Sequence, residues 1–277
     1  MIRTTSRGWW ANRNAVFSRL FGNNIVRARE VVAAWLIRLR VRPNTLTIMG
    51  LGATLVAAVF LALGAGDKIG SSSLAGHSWY GLWAGVWLII AAAFDILDGA
   101  VAQKNNQVSR QGAFLDSCMD RIADGAIFTG IIIYYLQHGE TAHNCFFIAA
   151  AAVALVNAEL ISYVKARAEC FVPACPVGYW QRGERIAAIL IGLFCGHVAT
   201  VMVMLATLAG LTVIRRLTFA ARQIRRLDEN RPLLQAGPAT KGIMRLALWR
   251  HRRGSLPYDI VTAINIAMIL LIDLQRS

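Results

Sequence analysis

The sequence predicts an all-α integral membrane protein with six transmembrane helices and an N-terminal interfacial helix, and it leaves open an extra C-terminal apolar helix. Three observations carry that prediction. The 277 residues are 56% hydrophobic, too apolar for an ordinary soluble domain. Apolar runs of about 20 residues, enough to cross about 30 Å of hydrocarbon as a helix, recur along the chain. Basic residues gather on one side of those runs, the pattern of a multi-pass protein obeying the positive-inside rule.

Residues 1–42 read as a cytoplasmic, interfacial segment. Met1 leads into Arg-, Asn- and Trp-containing sequence, not into the short apolar core of a cleavable signal. Asn24–Arg42 alternates Arg with Val, Leu, Ile and Trp, as in a helix lying apolar face down on anionic headgroups. Pro43-Asn44-Thr45 suits a helix start. Spans are expected near 45–65, 81–103, 112–136, 143–166, 184–197 and 199–217, within a membrane domain covering 43–226. With the N-terminus inside, the outer loops near 66–80, 137–142 and 197–198 hold one Lys or Arg, Lys68. Arg38, Arg40, Arg42, Lys104, Arg110, Lys165, Arg167, Arg182, Arg185 and the Arg215–Arg226 cluster fall inside, which places both termini in the cytoplasm of a cell (inner) membrane protein. Residues 227–277 form a basic extension. Within it Tyr258–Leu274 is apolar and at the short limit for a span, either a seventh crossing or an interfacial helix.

The net charge of +14 sits in juxtamembrane segments, so it points to membrane lipids and not to nucleic acid. Five cysteines form no CxxC pair, and Cys170 and Cys175 share a cytoplasmic loop where a disulfide is disfavoured. No suitably spaced His or Cys set suggests zinc. The histidines fall in loops or at outer ends and receive no role.

Chemistry concentrates in four carboxylates, Asp95 and Asp98 at the end of the second span and Asp116 and Asp120 in the third. A charged side chain at membrane depth costs about 3 kcal/mol or more, so four acids together require compensation. Spacings of three and four put each pair on one helix face. In an antiparallel hairpin with a short cytoplasmic loop, all four reach a similar depth, roughly 6–12 Å from the loop at 1.5 Å per residue. Like charges repel, and a shared hard cation such as Mg²⁺ or Mn²⁺ is the simplest remedy. Gly99, Ala102 and Gly112 leave room beside them. At the cytoplasmic ends of later spans, Ser162, Lys165, Arg167, Arg182, Arg185 and Arg216 form a set able to grip a phosphate on an acceptor. An ion-coupled transporter is the alternative class, but its acids would spread over several helices near the midplane.

Together the residues read Asp95-x-x-Asp98-Gly99-x-x-Ala102-Gln103, eight residues, Gly112-x-x-x-Asp116-x-x-x-Asp120. This resembles the signature of the CDP-alcohol phosphotransferase (CDP-alcohol phosphatidyltransferase) family of membrane enzymes, departing from it at Gln103, where the family usually carries Arg. Asp116-Ser-Cys-Met-Asp120-Arg121-Ile-Ala-Asp124-Gly125, Ser162–Glu169 and Arg182-Gly183-Glu184-Arg185 resemble its bacterial phosphatidylinositol phosphate synthase branch. The likeness covers about residues 40–226, with Pro43-Asn44-x-x-Thr47 leading into the first span.

The resemblance implies a six-helix fold, often homodimeric, with a polar cavity open to the cytoplasm. It implies two metal ions (Mg²⁺ or Mn²⁺) on Asp95, Asp98 and Asp116, with Asp120 as general base that also touches metal. Asp95, Asp98, Gly99, Ala102, Gln103 and Gly112 would bind the CDP group. The reaction implied is transfer of a phosphatidyl group from CDP-diacylglycerol to a phosphorylated polyol, releasing CMP. Inositol 1-phosphate is the first choice of acceptor. Glycerol 3-phosphate (phosphatidylglycerol phosphate synthesis) is the second, and cardiolipin synthesis is a further alternative.

Overall fold

The computed structural model describes residues 16–67, 72–73, 76–77, 79–138, 141–233 and 256–274. Lys68, Ser71, His251 and most of the basic stretch before Tyr258 lie outside the described residues. The elements are α1 (Val16–Arg38), α2 (Pro43–Gly64), a small antiparallel pair β1 (Ser72–Ser73) and β2 (Gly76–His77), α3 (Tyr80–Lys104), α4 (Arg110–Gln137), α5 (Ala142–Ala168), α6 (Arg182–Cys195), α7 (Val198–Asp228) and α8 (Leu256–Leu271). The hairpin falls in the expected outer loop; the rest is helical, as the apolar runs required.

Helix ends follow local chemistry. Pro43 occupies the first turn of α2, where its missing N–H is no loss. The Ser109 and Thr141 hydroxyls cap α4 and α5 by accepting from the N–H groups of Gly112 (3.0 Å) and Asn144 (3.1 Å). Gly196, at φ 72°, closes α6 in the left-handed region that glycine tolerates.

Four helices, α2, α3, α5 and α7, are long and apolar enough to cross a membrane, and the chain is a multi-pass membrane protein. Helix α4 carries Asp116, Asp120, Arg121 and Asp124, and α6 is only 14 residues long, so length and hydropathy alone do not select them. Large apolar side chains such as Ile48, Val59, Trp83, Ile89, Val156 and Ile214 face outward, where hydrocarbon would receive them. The interior holds Leu61, Leu88, Ile127, Ile131, Phe147 and Leu205. Helices α2 and α4 cross closely at Gly130, where a Cβ would stand 2.5 Å from the Ala58 carbonyl oxygen, so any other residue would force them apart.

Helix α7 runs to Asp228, past the expected end near 217, because the helix keeps a packing partner beyond the apolar stretch. Phe219 and Ala220 bury against Ala168 at the end of α5 and against Val172, Cys175 and Val177 of the α5–α6 connection. Burial pushes the Cys175 thiol up, which keeps it neutral and suits a packing role.

The C-terminal helix departs from one expectation. Helix α8 lies along α6 in the same direction: the Tyr258 hydroxyl donates to Glu184 Oε1 (2.6 Å) at the first turn of α6. At the far end His197 Nδ1 is 2.6 Å from the Ile269 carbonyl oxygen, Thr200 donates to that of Ile272 (2.7 Å), and His143 Nε2 is 3.0 Å from that of Leu274. Leu274 therefore lies at the end of the bundle opposite Arg182, and the reading that put both chain ends at one face is corrected for the C-terminal end. The cause is side-chain chemistry: Ile260, Ile264 and Leu270 point outward while Asn265 is buried, so α8 is stable standing along the bundle.

Candidate functional site

The end of α3 and the start of α4 meet at one end of the bundle, joined by residues 105–109. Carboxylate oxygens of Asp95, Asp116 and Asp120 lie within 4.8 Å of one another. Asp98 turns toward α2 instead: it is 8% exposed and accepts from the Thr47 hydroxyl at 2.6 Å. Asp95, Asp98 and Asp120 line one cleft with Thr47, Ala91 and Arg182.

Arg182 opens α6 and enters this cluster. Its Nη1 lies 2.9 Å from Asp95 Oδ1 and 2.8 Å from Asp120 Oδ1, and its Nε lies 3.6 Å from Asp124 Oδ1. That Nε is buried and donates no hydrogen bond to a described residue. One turn on, Arg185 is 2% exposed; its Nη2 pairs with Asp124 Oδ2 at 2.5 Å and its Nη1 donates to the Trp180 carbonyl oxygen at 3.3 Å. Four-residue spacing continues the Asp116 and Asp120 face to Asp124, and Arg121 lies three residues before it. Arg121 instead bonds the Ser117 carbonyl and hydroxyl (2.5 and 2.6 Å), one turn back on its own helix.

Asp95, Asp98, Asp116, Asp120 and Asp124 thus face two guanidinium groups, a local deficit of positive charge in a half-buried site. The donors that converge are oxygens alone, with open space on one side: a Cβ on Gly99 would meet nothing within 4 Å. A hard divalent ion such as Mg²⁺ or Mn²⁺ fits that donor set, and thiolate-seeking metals do not.

The remaining residues singled out from sequence divide into separate places. Gly112 spends its N–H on Ser109 and borders the start of α4; Ala102 is half-buried and Gln103 exposed near the end of α3. Ser162 is half-buried, while Lys165 and Arg167 are exposed at the end of α5, with the Arg167 guanidinium 4.8 Å from the centre of the Phe171 ring. Arg216 is 3% exposed and donates to the carbonyl oxygens of Val177 (2.7 Å) and Ile161 (2.5 Å), tying α7 to α5 and to the α5–α6 connection. The structure therefore brings Arg182 into the acids, sets Arg185 behind them, and buries Arg216 among backbone oxygens. The pairings Thr47–Asp98 and Asp124–Arg185 were missed in the sequence. Their signals were the four-residue spacing of Asp116, Asp120 and Asp124 and the three-residue spacing of Arg182 and Arg185, each marking a single face.

Comparison with known proteins follows this geometry. The family profile described as CDP-alcohol phosphatidyltransferase matches residues 40–224. A phosphatidylinositol phosphate synthase of Corynebacterium glutamicum is 38% identical over 164 residues, which is 59% of this chain and 68% of that protein. The crystal structure of Mycobacterium tuberculosis phosphatidylinositol phosphate synthase with CDP-DAG bound is similar with a TM-score of 0.59 at 26% identity, covering 70% of this chain and 94% of that one. The same enzyme in complex with manganese and citrate also gives 0.59, at 27% identity, over 70% and 88% of the two chains.

Proposed function

The chain belongs to the CDP-alcohol phosphatidyltransferase family, and on that premise we propose that it moves the phosphatidyl group of CDP-diacylglycerol onto inositol 1-phosphate, forming phosphatidylinositol phosphate and CMP. The observation that carries the reading is the convergence of Asp95, Asp116 and Asp120 within 4.8 Å, with Arg182 bonded to two of them.

Asp95, Asp98, Asp116 and Asp120 hold two divalent ions, Mg²⁺ or Mn²⁺. When bound, such ions neutralise the diphosphate and stabilise the charge that departs with CMP. Thr47 fixes the carboxylate of Asp98 by its hydrogen bond, so that ligand is oriented before substrate arrives. Asp120 takes the proton from the acceptor hydroxyl, which attacks the β-phosphorus; the bond to CMP breaks and the nucleotide carries away the electron pair. Arg182 holds Asp120 and Asp95 in place, and its unbonded Nε suits an oxygen of the acceptor phosphate. Ser162, Lys165 and Arg167 supply the outer part of that phosphate site; Arg185 and Arg216 support it by fixing α6 and the loop before it. Gly99, Ala102, Gln103 and Gly112 border the CDP group.

The finer architecture belongs to the same reading. Helices α2 to α7 make six crossings over a membrane domain at 43–226, with α4 and α6 running between the same two ends as the apolar four. Residues 1–42, including α1, lie on the cytoplasmic surface, and 227–277 form an extension. The described residues at the ends of helices opposite the acids carry no Lys or Arg, which supports an acid end facing the cytoplasm. The working unit is a homodimer.

Purified protein in detergent should release CMP from CDP-diacylglycerol only with Mg²⁺ or Mn²⁺ and inositol 1-phosphate. A panel of inositol 1-phosphate, glycerol 3-phosphate, free inositol and phosphatidylglycerol tests the acceptor. Turnover with glycerol 3-phosphate alone would overturn the acceptor and keep the reaction class.

A further inference from the structure

Helix α8 stands outside the stretch matched by the family profile, and a second cavity of about 360 Å³ lies between it and α6. That volume falls in the range of roughly 300–1,000 Å³ typical of small-molecule sites. Its walls include Tyr258, Thr262, Asn265, Ile266 and Ile269 of α8, which recur at the spacing of one helix face. Across from them stand Glu184, Ala187, Ala188 and Ile191 of α6.

Two features of the lining point to an occupant. Asn265 is 7% exposed, lines the cavity and makes no hydrogen bond to a described residue, so a buried amide with two donors and an acceptor lacks partners there. Buried polar groups are almost always bonded, and one that faces a cavity marks where a ligand atom belongs. The second feature is charge. No Lys or Arg lines the space, and its one carboxylate, Glu184, already accepts from Tyr258. An anionic headgroup has no partner in such a site. Hydroxyl and ester oxygens would match the Asn265 amide, since the Thr262 hydroxyl is already bonded to Tyr179 and to the Tyr258 carbonyl, and a hydrocarbon chain would match Ile191, Ile266 and Ile269.

We infer that the cavity between α6 and α8 binds an uncharged lipid with hydroxyl or ester oxygens in its head, of the diacylglycerol kind, apart from the site that handles CDP-diacylglycerol. The outward face of α8 bears Ile260, Ile264 and Leu270, so the helix presents hydrocarbon-compatible side chains to the bilayer while Asn265 faces this space. A lipid can reach the site laterally from the membrane.

The test uses the full-length protein in phosphatidylcholine nanodiscs with a diacylglycerol probe carrying a diazirine on its acyl chain. Labelling should saturate and map to peptides of α6 and α8. Asn265→Leu should lower it by about fivefold, the effect of one lost hydrogen bond, with Ala187→Trp lowering it further by filling the space. CMP release should remain within about twofold of wild type in both variants, the range of ordinary surface substitutions, which also shows that they fold. Labelling unchanged in both variants overturns the inference. So does equal labelling by a phosphatidic acid probe, or displacement of the diacylglycerol probe by CDP-diacylglycerol, which would assign the space to the substrate site.

Discussion

On the side of α6 that faces α3 and α4, Arg182 and Arg185 meet Asp95, Asp120 and Asp124; on the side that faces α8, Glu184 meets a tyrosine hydroxyl and the wall continues through Ala187, Ala188 and Ile191. The two faces interleave in sequence, 182 and 185 against 184, 187, 188 and 191, so one helix separates a charged site from a neutral one. The difference teaches how this protein handles polarity in an apolar bundle. The charges of the acid site are met by opposite charge, Arg216 is met by backbone carbonyl oxygens, and on the α8 side a carboxylate is met by a tyrosine hydroxyl.

Substitutions on the two faces should therefore differ in kind as well as in size. The largest loss is expected from Asp120→Asn, which removes the proposed proton acceptor while keeping the shape: CMP release should fall by about 10²–10⁴-fold, with nucleotide binding by calorimetry largely kept. Chelation of divalent ions should silence wild type to a similar extent and be reversed by Mn²⁺ or Mg²⁺. Retained turnover in either case breaks the charged half of the comparison.

Next comes Arg185→Met. It leaves Asp124, 3% exposed, with only the longer Arg182 contact, and breaking a buried pair of this kind costs about 3–5 kcal/mol of stability. Thermal unfolding in detergent should show a large drop, and adding Asp124→Leu should restore much of it. If the double variant is as unstable as the single one, Arg185 acts through Trp180 and not through charge.

A smaller effect is expected from Thr47→Val, which removes the donor to Asp98 without changing volume. The apparent Mn²⁺ requirement should rise by about 10-fold, at the low end for loss of a group that orients a ligand, with maximal rate at saturating metal less affected. Tyr258→Phe should have the smallest effect of the set: one uncharged donor to Glu184 is lost, about 1–2 kcal/mol of stability, with CMP release near wild type. A Tyr258→Phe protein as impaired as Asp120→Asn would show that the α8 side and the acid side are one functional unit.

Much of the fold was legible because membrane helices announce themselves through continuous apolar length. All six expected spans begin within two residues of the observed helices, and the first begins at Pro43 as its capping chemistry suggested. Where the structure went further, the driving contact was tertiary. The tail of α7 stays helical because Phe219 and Ala220 find a partner in the α5–α6 connection. Within the site, the acids were readable from their spacing on two helices. Arg182 was read as part of a phosphate-gripping set, yet it bonds the acids, because the start of α6 packs against α3.

What the sequence alone determined is set by periodicity and the cost of charge in hydrocarbon: long apolar helices, a basic face, and acids that had to share one end of a hairpin. What only the tertiary structure decided is which charges meet and where the last helix stands. Asp124 with Arg185, Thr47 with Asp98, and Tyr258 with Glu184 join residues 61, 51 and 74 positions apart. Local spacing constrains which face a side chain occupies, but the partner across the bundle is chosen by packing, where shape and burial act over contacts distant in sequence.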